Sequence, residues 1–270
     1  MDTRGLVDYH LHTELCGHAR GGLEDYVGRA LELGLAEVGF CDHFPLLHLK
    51  DPTLSMTVED LPRYLREVEE LRGRFSGMLE IRVGIEVDYL PETLQQVSEM
   101  LEGLTLDYVM GSVHFLDGWG FDDPRYVGGY RGRDIRALWE RYFQLLGDAA
   151  ESGKFDVMAH PDLIKKFGYR PSGEVSDIYR RCLDRLAEAG VVVEVNTAGL
   201  RKPVGEIYPA EEFLRMCLER EIPVTLGSDA HAPGEVGADF AAAAAMLRRV
   251  GYRELTVFRR RARSSIPLPS

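Results

Sequence analysis

Seven of this chain's eight histidines stand at or just beyond the ends of short apolar runs, and most have a carboxylate close by in sequence. The runs are Leu6-Val-Asp-Tyr-His10-Leu-His12 with His18 soon after, Val38-Gly-Phe-Cys-Asp42-His43, Val109-Met-Gly-Ser-Val-His114, Val157-Met-Ala-His160-Pro-Asp162 and Val224-Thr-Leu-Gly-Ser-Asp229-Ala-His231. A further run, Val83-Gly-Ile-Glu86, ends in a lone acid. Runs rich in Val, Ile and Leu and bounded by Gly, Pro or polar residues read as strands. Side chains two apart on a strand share a face, so His10 and His12 can grip one ion, and Asp229 and His231 repeat that spacing. A lone strand-end histidine is more often a hydrogen-bonded core or loop residue than a ligand. Seven together, with carboxylates, are the donor set of Zn, Fe or Mn.

Between the runs lie helical patterns. Strands are expected near residues 6 to 12, 36 to 42, 80 to 87, 107 to 114, 155 to 160, 191 to 196 and 222 to 228. The stretches between them carry apolar residues at helical spacing, such as Leu23, Val27, Ala30 and Leu31 stopped by Gly34, or Ile135, Trp139, Tyr142 and Leu146. Alternating strands and helices build a parallel α/β sheet with right-handed crossovers. In an open doubly wound sheet the ligands cluster at one switch point, whereas here nearly every strand ends in one. Only a barrel brings those ends together, with the site at its C-terminal mouth. The sixth strand ends in Asn196 and Thr197, followed by Arg201 and Lys202, and reads as a substrate-facing side.

With 270 residues, 45% of them hydrophobic, the chain can bury one large core, and no linker or repeat divides it. A single unit over residues 1–270 is expected. The N-terminal residues lack a basic, apolar, small-residue succession and no apolar stretch suffices to cross a bilayer, so a cytoplasmic protein with no membrane partner is expected. Cys16, Cys41, Cys182 and Cys217 are widely spaced and read as reduced thiols, Cys182 and Cys217 as core filler. A formal charge of -12 argues against nucleic acid held on a basic surface. The run Arg259-Arg-Arg-Ala-Arg263 reads as a charged helix end. Glu86 on an apolar strand needs a counter-charge, supplied either by metal or by Arg82 on the same strand face.

The order HxH at the first strand, a histidine soon after, Asp-His at the second, a lone Glu at the third, single histidines at the fourth and fifth and a closing DxH resembles the polymerase and histidinol phosphatase (PHP) metal-dependent phosphoesterases. The match in order runs from His10 to His231. Three segments are similar to the histidinol-phosphate phosphatases of that family: Gly111-Ser-Val-His-Phe-Leu-Asp-Gly-Trp119, His160-Pro-Asp-Leu-Ile-Lys-Lys-Phe167 and Glu194-Val-Asn-Thr-Ala-Gly-Leu-Arg-Lys202.

The resemblance implies a distorted seven-stranded (β/α)7 TIM-like barrel, the PHP fold, with three divalent metal ions (Zn, Fe or Mn) at its mouth. Carried over by position, His10, His12, Glu86 and Asp229 would hold one ion, Glu86, His114 and His160 a second, and His18, His43 and His231 a third. Asp42 would orient a liganding imidazole. Hydrolysis of L-histidinol phosphate in histidine biosynthesis follows from the same resemblance, with Glu86, Asp229 and His231 as catalytic residues. Arg201, Lys166 and Lys165 are candidates for the phosphate, and Phe115, Asp117, Asp122 and Glu14 for the imidazole and ammonium of the substrate. The rival readings are a PHP phosphoesterase acting on nucleotides or nucleic acid 3′ ends, and a structural metal module without turnover. A structural site is closed, whereas this set is spread over six strands with open positions.

Overall fold

The computed structural model describes residues 3 to 269. In chain order the strands and helices are β1 (Val7–Leu11), α1 (Leu23–Leu33), β2 (Glu37–Phe40), α2 (Leu61–Arg74), β3 (Glu80–Val83), β4 (Glu86–Asp88), α3 (Leu94–Glu102), β5 (Met110–Ser112), β6 (Phe115–Leu116), β7 (Trp119–Gly120), α4 (Ile135–Glu151), β8 (Val157–Met158), α5 (Ser176–Ala189), β9 (Val192–Asn196), α6 (Glu211–Leu218), β10 (Val224–Gly227), α7 (Phe240–Val250), β11 (Glu254–Arg259) and β12 (Ala262–Pro267). Parallel pairing runs β1-β2-β3 in one sheet and β10-β9-β8-β5-β4 in the other.

The two sheets are joined at both edges. Ala230 N donates to His10 O at 3.1 Å and His12 N to Ala230 O at 3.0 Å, tying the end of β10 to β1. On the other side Glu86 N donates to Asp42 O and Phe44 N to Glu86 O, tying β4 to the chain after β2. Since β3 and β4 are one strand interrupted at Gly84 and Ile85, the circuit is the seven-stranded barrel that the alternation predicts.

The interruption has a physical cause. Tyr108 lies across the barrel and donates its hydroxyl to Tyr9 O at 2.6 Å, and a Cβ on Gly39 or Gly84 would collide with its ring. Tyr9 and Tyr108 meet at 5.1 Å between ring centroids, and Phe258 of β11 closes against both. These rings fill the barrel, which leaves the opposite, C-terminal end of the strands for chemistry.

The helical patterns form where the spacing places them. α1 stops at Gly34, whose φ of 67° is the left-handed C-terminal cap, and α4 starts at Asp134, whose side chain accepts from Arg136 N and Ala137 N. All four cysteines are buried and unpaired, Cys182 in α5 and Cys217 in α6. Among the described residues no helix is long and apolar enough to cross a membrane.

Residues 259 to 263 are not a helix end. They turn an antiparallel hairpin, β11 with β12, in which Arg260 and Arg261 take φ of 49° and 65°, the left-handed pair a two-residue hairpin turn requires. Burial of Leu255 through Phe258, four consecutive residues of β11, outweighs the arginines' indifference to that turn. A second hairpin, β6 with β7, turns on Asp117 and Gly118 at φ 51° and 83°.

Candidate metal centre

The strand ends converge on Glu86. Its Oε2 lies 3.2 Å from His10 Nε2, 3.0 Å from His43 Nδ1 and 3.7 Å from His12 Nε2, and its Oε1 lies 3.0 Å from His160 Nε2 and 3.7 Å from His114 Nε2. Asp229 brings Oδ1 to 3.3 Å from both His12 Nε2 and His231 Nδ1. His18 completes the arc, its ring 4.6 Å from that of His231 and 5.4 Å from that of His43. All nine residues of the expected ligand set are therefore at one mouth. Arg82 is not Glu86's partner, because it pairs with Glu37 and Glu80 beside Tyr9.

Ligand atoms close enough to share an ion occur as His10, His12 and Glu86, as His43, Glu86 and His114, and as His12, His43 and His231. Cys16 joins two such groups, one with His18 and His231 and one with His12 and Asp42. The donor set fits cations on a further ground. His160 Nδ1 and His231 Nε2 are buried without a hydrogen-bond partner, an arrangement costly for a polar core and ordinary for metal ligands.

The electrostatics agree. Burial alone would raise the Glu86 and Asp229 carboxyls, yet the imidazoles around them, His43 and His10 first for Glu86 and His10 and His12 for Asp229, hold both well below the usual carboxylate range. Conversely, burial would depress His10, but Glu194, Glu86 and Asp229 hold it well above the ordinary imidazole value. Two ionised carboxylates inside a ring of imidazoles form a nest for positive charge.

Asp42 lies behind the ring: Oδ1 is 3.3 Å from His12 Nδ1 and accepts from His43 N at 2.9 Å, and Oδ2 accepts from the Thr13 hydroxyl. Two similar supports do not stand out in the sequence. Asp88 Oδ1 is 3.0 Å from His114 Nδ1, and Glu194 Oε1 is 2.6 Å from His10 Nδ1. Asp88 lies two residues beyond Glu86 on the same strand face, a spacing that could have marked it. Glu194 offers no such signal, since β9 carries no histidine.

The substrate candidates divide. Arg201 donates through Nη2 to Ser228 O at 2.6 Å beside Asp229, and its Nη1 is buried with no partner. Lys166 reaches the rim, its Nζ 3.0 Å from Asp122 Oδ2, and Phe115 lies beneath His48 with ring centroids 4.8 Å apart. Lys165 is corrected: it is wholly buried, with Nζ on Asp162 Oδ2 at 2.7 Å and Ile207 O at 2.8 Å, because a 3-10 turn over Leu163–Lys165 aims it inward. Asp117 is also corrected, for it sits exposed on the hairpin turn and pairs with Arg141 of α4 at 2.7 Å. Glu14 is exposed and lies 3.8 Å from Arg63.

Residues 8–198 match the PHP domain. The chain is 46% identical over 257 residues to the "Probable histidinol-phosphatase" of Deinococcus radiodurans, covering 95% of this chain and 98% of that protein. It is 32% identical over 258 residues to the "Histidinol-phosphatase" of Bacillus subtilis, covering 85% and 95% of the two. Among solved structures, the histidinol phosphate phosphatase of Lactococcus lactis complexed with Zn, L-histidinol and phosphate superposes with a TM-score of 0.82 over 96% of this chain and 98% of that one. At 20% identity that last likeness is one of fold.

Proposed function

The chain belongs to the PHP domain family, and on that premise we infer that it is a histidinol-phosphatase, hydrolysing L-histidinol phosphate to L-histidinol and phosphate in histidine biosynthesis. The observation that carries the chemistry is Glu86, buried to 1% exposure with five imidazoles from four other strand ends around its two oxygens.

We propose three divalent ions, of Zn, Fe or Mn, held as the family order suggests. His10, His12, Glu86 and Asp229 would hold the first, Glu86, His114 and His160 the second, and His18, His43 and His231 the third. Bound there, such ions neutralise phosphoryl oxygens and lower the pKa of water from 15.7 toward about 7.

The chain's own residues do the rest. Arg201 offers its unpartnered Nη1 to a phosphate oxygen while its Nη2 stays on the Ser228 carbonyl, so the guanidinium is fixed before substrate arrives. The proton for the leaving alkoxide comes from water at the mouth, or by way of Asp229 or His231 at the end of β10. Asp122 and Phe115 face the leaving group, and Lys166, tethered to Asp122, adds positive charge at the phosphate edge. An acidic chain with these few cations suits a small cationic monoester better than a polyanion. The reaction is assigned to the cytoplasm.

The test is phosphate release from L-histidinol phosphate, nucleoside monophosphates, a phosphodiester and single-stranded DNA under identical metal loading. Histidinol phosphate is expected to lead in kcat/KM by at least about a hundredfold, or roughly 2.7 kcal/mol of transition-state binding. A preference for nucleotides or DNA ends overturns the substrate and leaves the phosphoesterase class standing.

A further inference from the structure

Of the seven barrel strands, β9 is the one whose end supplies no candidate ligand, yet it carries a fully buried acid. Glu194 is fully buried and has three polar partners. Oε1 faces His10 Nδ1 at 2.6 Å, and Oε2 accepts from His160 N at 2.7 Å and from Asn196 Nδ2 at 3.1 Å. Asn196 in turn reaches Asp229 Oδ2 at 3.5 Å. One carboxylate thus touches or reaches residues of β1, β8 and β10, the strands that flank the centre on this side.

The chain is built around that contact. A Cβ at position 227 would collide with Glu194 Oε1 and come within 2.7 Å of His10 Cβ, so only glycine lets β10 pass. His160 takes φ of 29°, a conformation a non-glycine residue holds only when its surroundings fix it, and the Glu194 bond to its backbone N–H does so.

We propose that Glu194 is a positioning residue of the metal centre: it holds the His10 proton on Nδ1, leaving Nε2 to face Glu86 as the ligand atom, and it pins His160 in the backbone geometry that turns its ring to the same carboxylate. The proposal rests on the reading that His10 and His160 are ligands. It adds that the ligand-free strand aims the ligands of its neighbours. An ionised carboxylate can satisfy all three donors, whereas an amide presents one oxygen and one NH2 group. With glutamine at 194, either His160 N–H loses its acceptor or His10 is pushed into the tautomer with its proton on Nε2, where it cannot ligate.

The experiment uses zinc as the probe. Bound zinc is counted in the wild-type protein, and its affinity is measured by chelator competition in wild type, Glu194→Gln and Gly227→Ala, with circular dichroism reporting the fold of each. Zinc binding is expected to weaken by about 10- to 100-fold in Glu194→Gln, and also in Gly227→Ala, whose added methyl displaces Glu194 and His10 together. A stabilising role alone would lower the melting temperature and leave zinc affinity unchanged, and that result overturns the proposal. If neither variant folds, nitrogen-15 spectra of histidine-labelled, zinc-loaded wild type decide: a proton on His10 Nδ1 supports the proposal, and an Nδ1 without one overturns it. A wild type that binds no zinc, iron or manganese removes the metal reading itself, and this inference with it.

Discussion

Glu86 and His160, 74 residues apart in the chain, meet at 3.0 Å with neither more than 3% exposed. Because the other oxygen of Glu86 faces His10 and His43, this carboxylate is the one group common to two of the proposed ion sites. Glu86→Gln keeps the shape and removes the charge. The variant should lose two metal equivalents together and drop at least about a thousandfold in kcat, the scale on which removing a catalytic group acts. Elemental analysis beside wild type reads the first effect. Retained metal and turnover would reduce Glu86 to a strand-end acid.

His10→Ala separates chemistry from folding. The imidazole is fully buried but sits at the mouth, above the packed layer of Tyr9, Tyr108 and Phe258. Turnover should vanish while the far-ultraviolet circular dichroism spectrum matches wild type, since the barrel's packing lies below the ligands. An insoluble product, or full activity, would make the histidine structural or incidental.

The barrel and the meeting of its strand-end histidines at one mouth were legible because both rest on strong local signals. Buried parallel strands read as unbroken Val, Ile and Leu runs, and imidazoles at their ends stand out against that background. The rest depended on geometry that residue types do not encode. Lys165 and Lys166 are neighbours of identical chemistry, and only the 3-10 turn before them sends one to Asp162 and the other to Asp122. Arg260 and Arg261 bend a hairpin through a left-handed conformation that arginine does not advertise. Glu194 looks like any strand residue until β1, β8 and β10 are folded around it.

Arg201→Ala should weaken every phosphate monoester alike, because a guanidinium on phosphate is blind to the leaving group. Losing one charge-assisted bond of about 1.5–3 kcal/mol predicts a fall of roughly 10- to 100-fold in kcat/KM, equal for histidinol phosphate and an artificial aryl phosphate. Arg201→Lys should recover little, since an ammonium cannot hold the Ser228 carbonyl and a phosphate oxygen in the same fork. A loss confined to histidinol phosphate would place Arg201 on the leaving group instead.

Asp156, far from the mouth, gives the fold a pH dependence of unusual sign. Its carboxylate accepts from Val109 N at 2.8 Å and pairs with Arg261 of the terminal hairpin, yet burial outweighs both and raises its pKa above the ordinary aspartate value. Between the unfolded and folded pKa the native protein therefore holds a proton that the unfolded chain has released. Stability from this group is fully present below the unfolded value and is lost as pH rises through the folded one. Urea midpoints for wild type and Asp156→Asn across the carboxylate range should show their gap narrowing as pH rises. A gap that widens with pH would mean that the Arg261 pair, and not burial, governs Asp156, and would make the hairpin's ion pair a net anchor of the barrel floor.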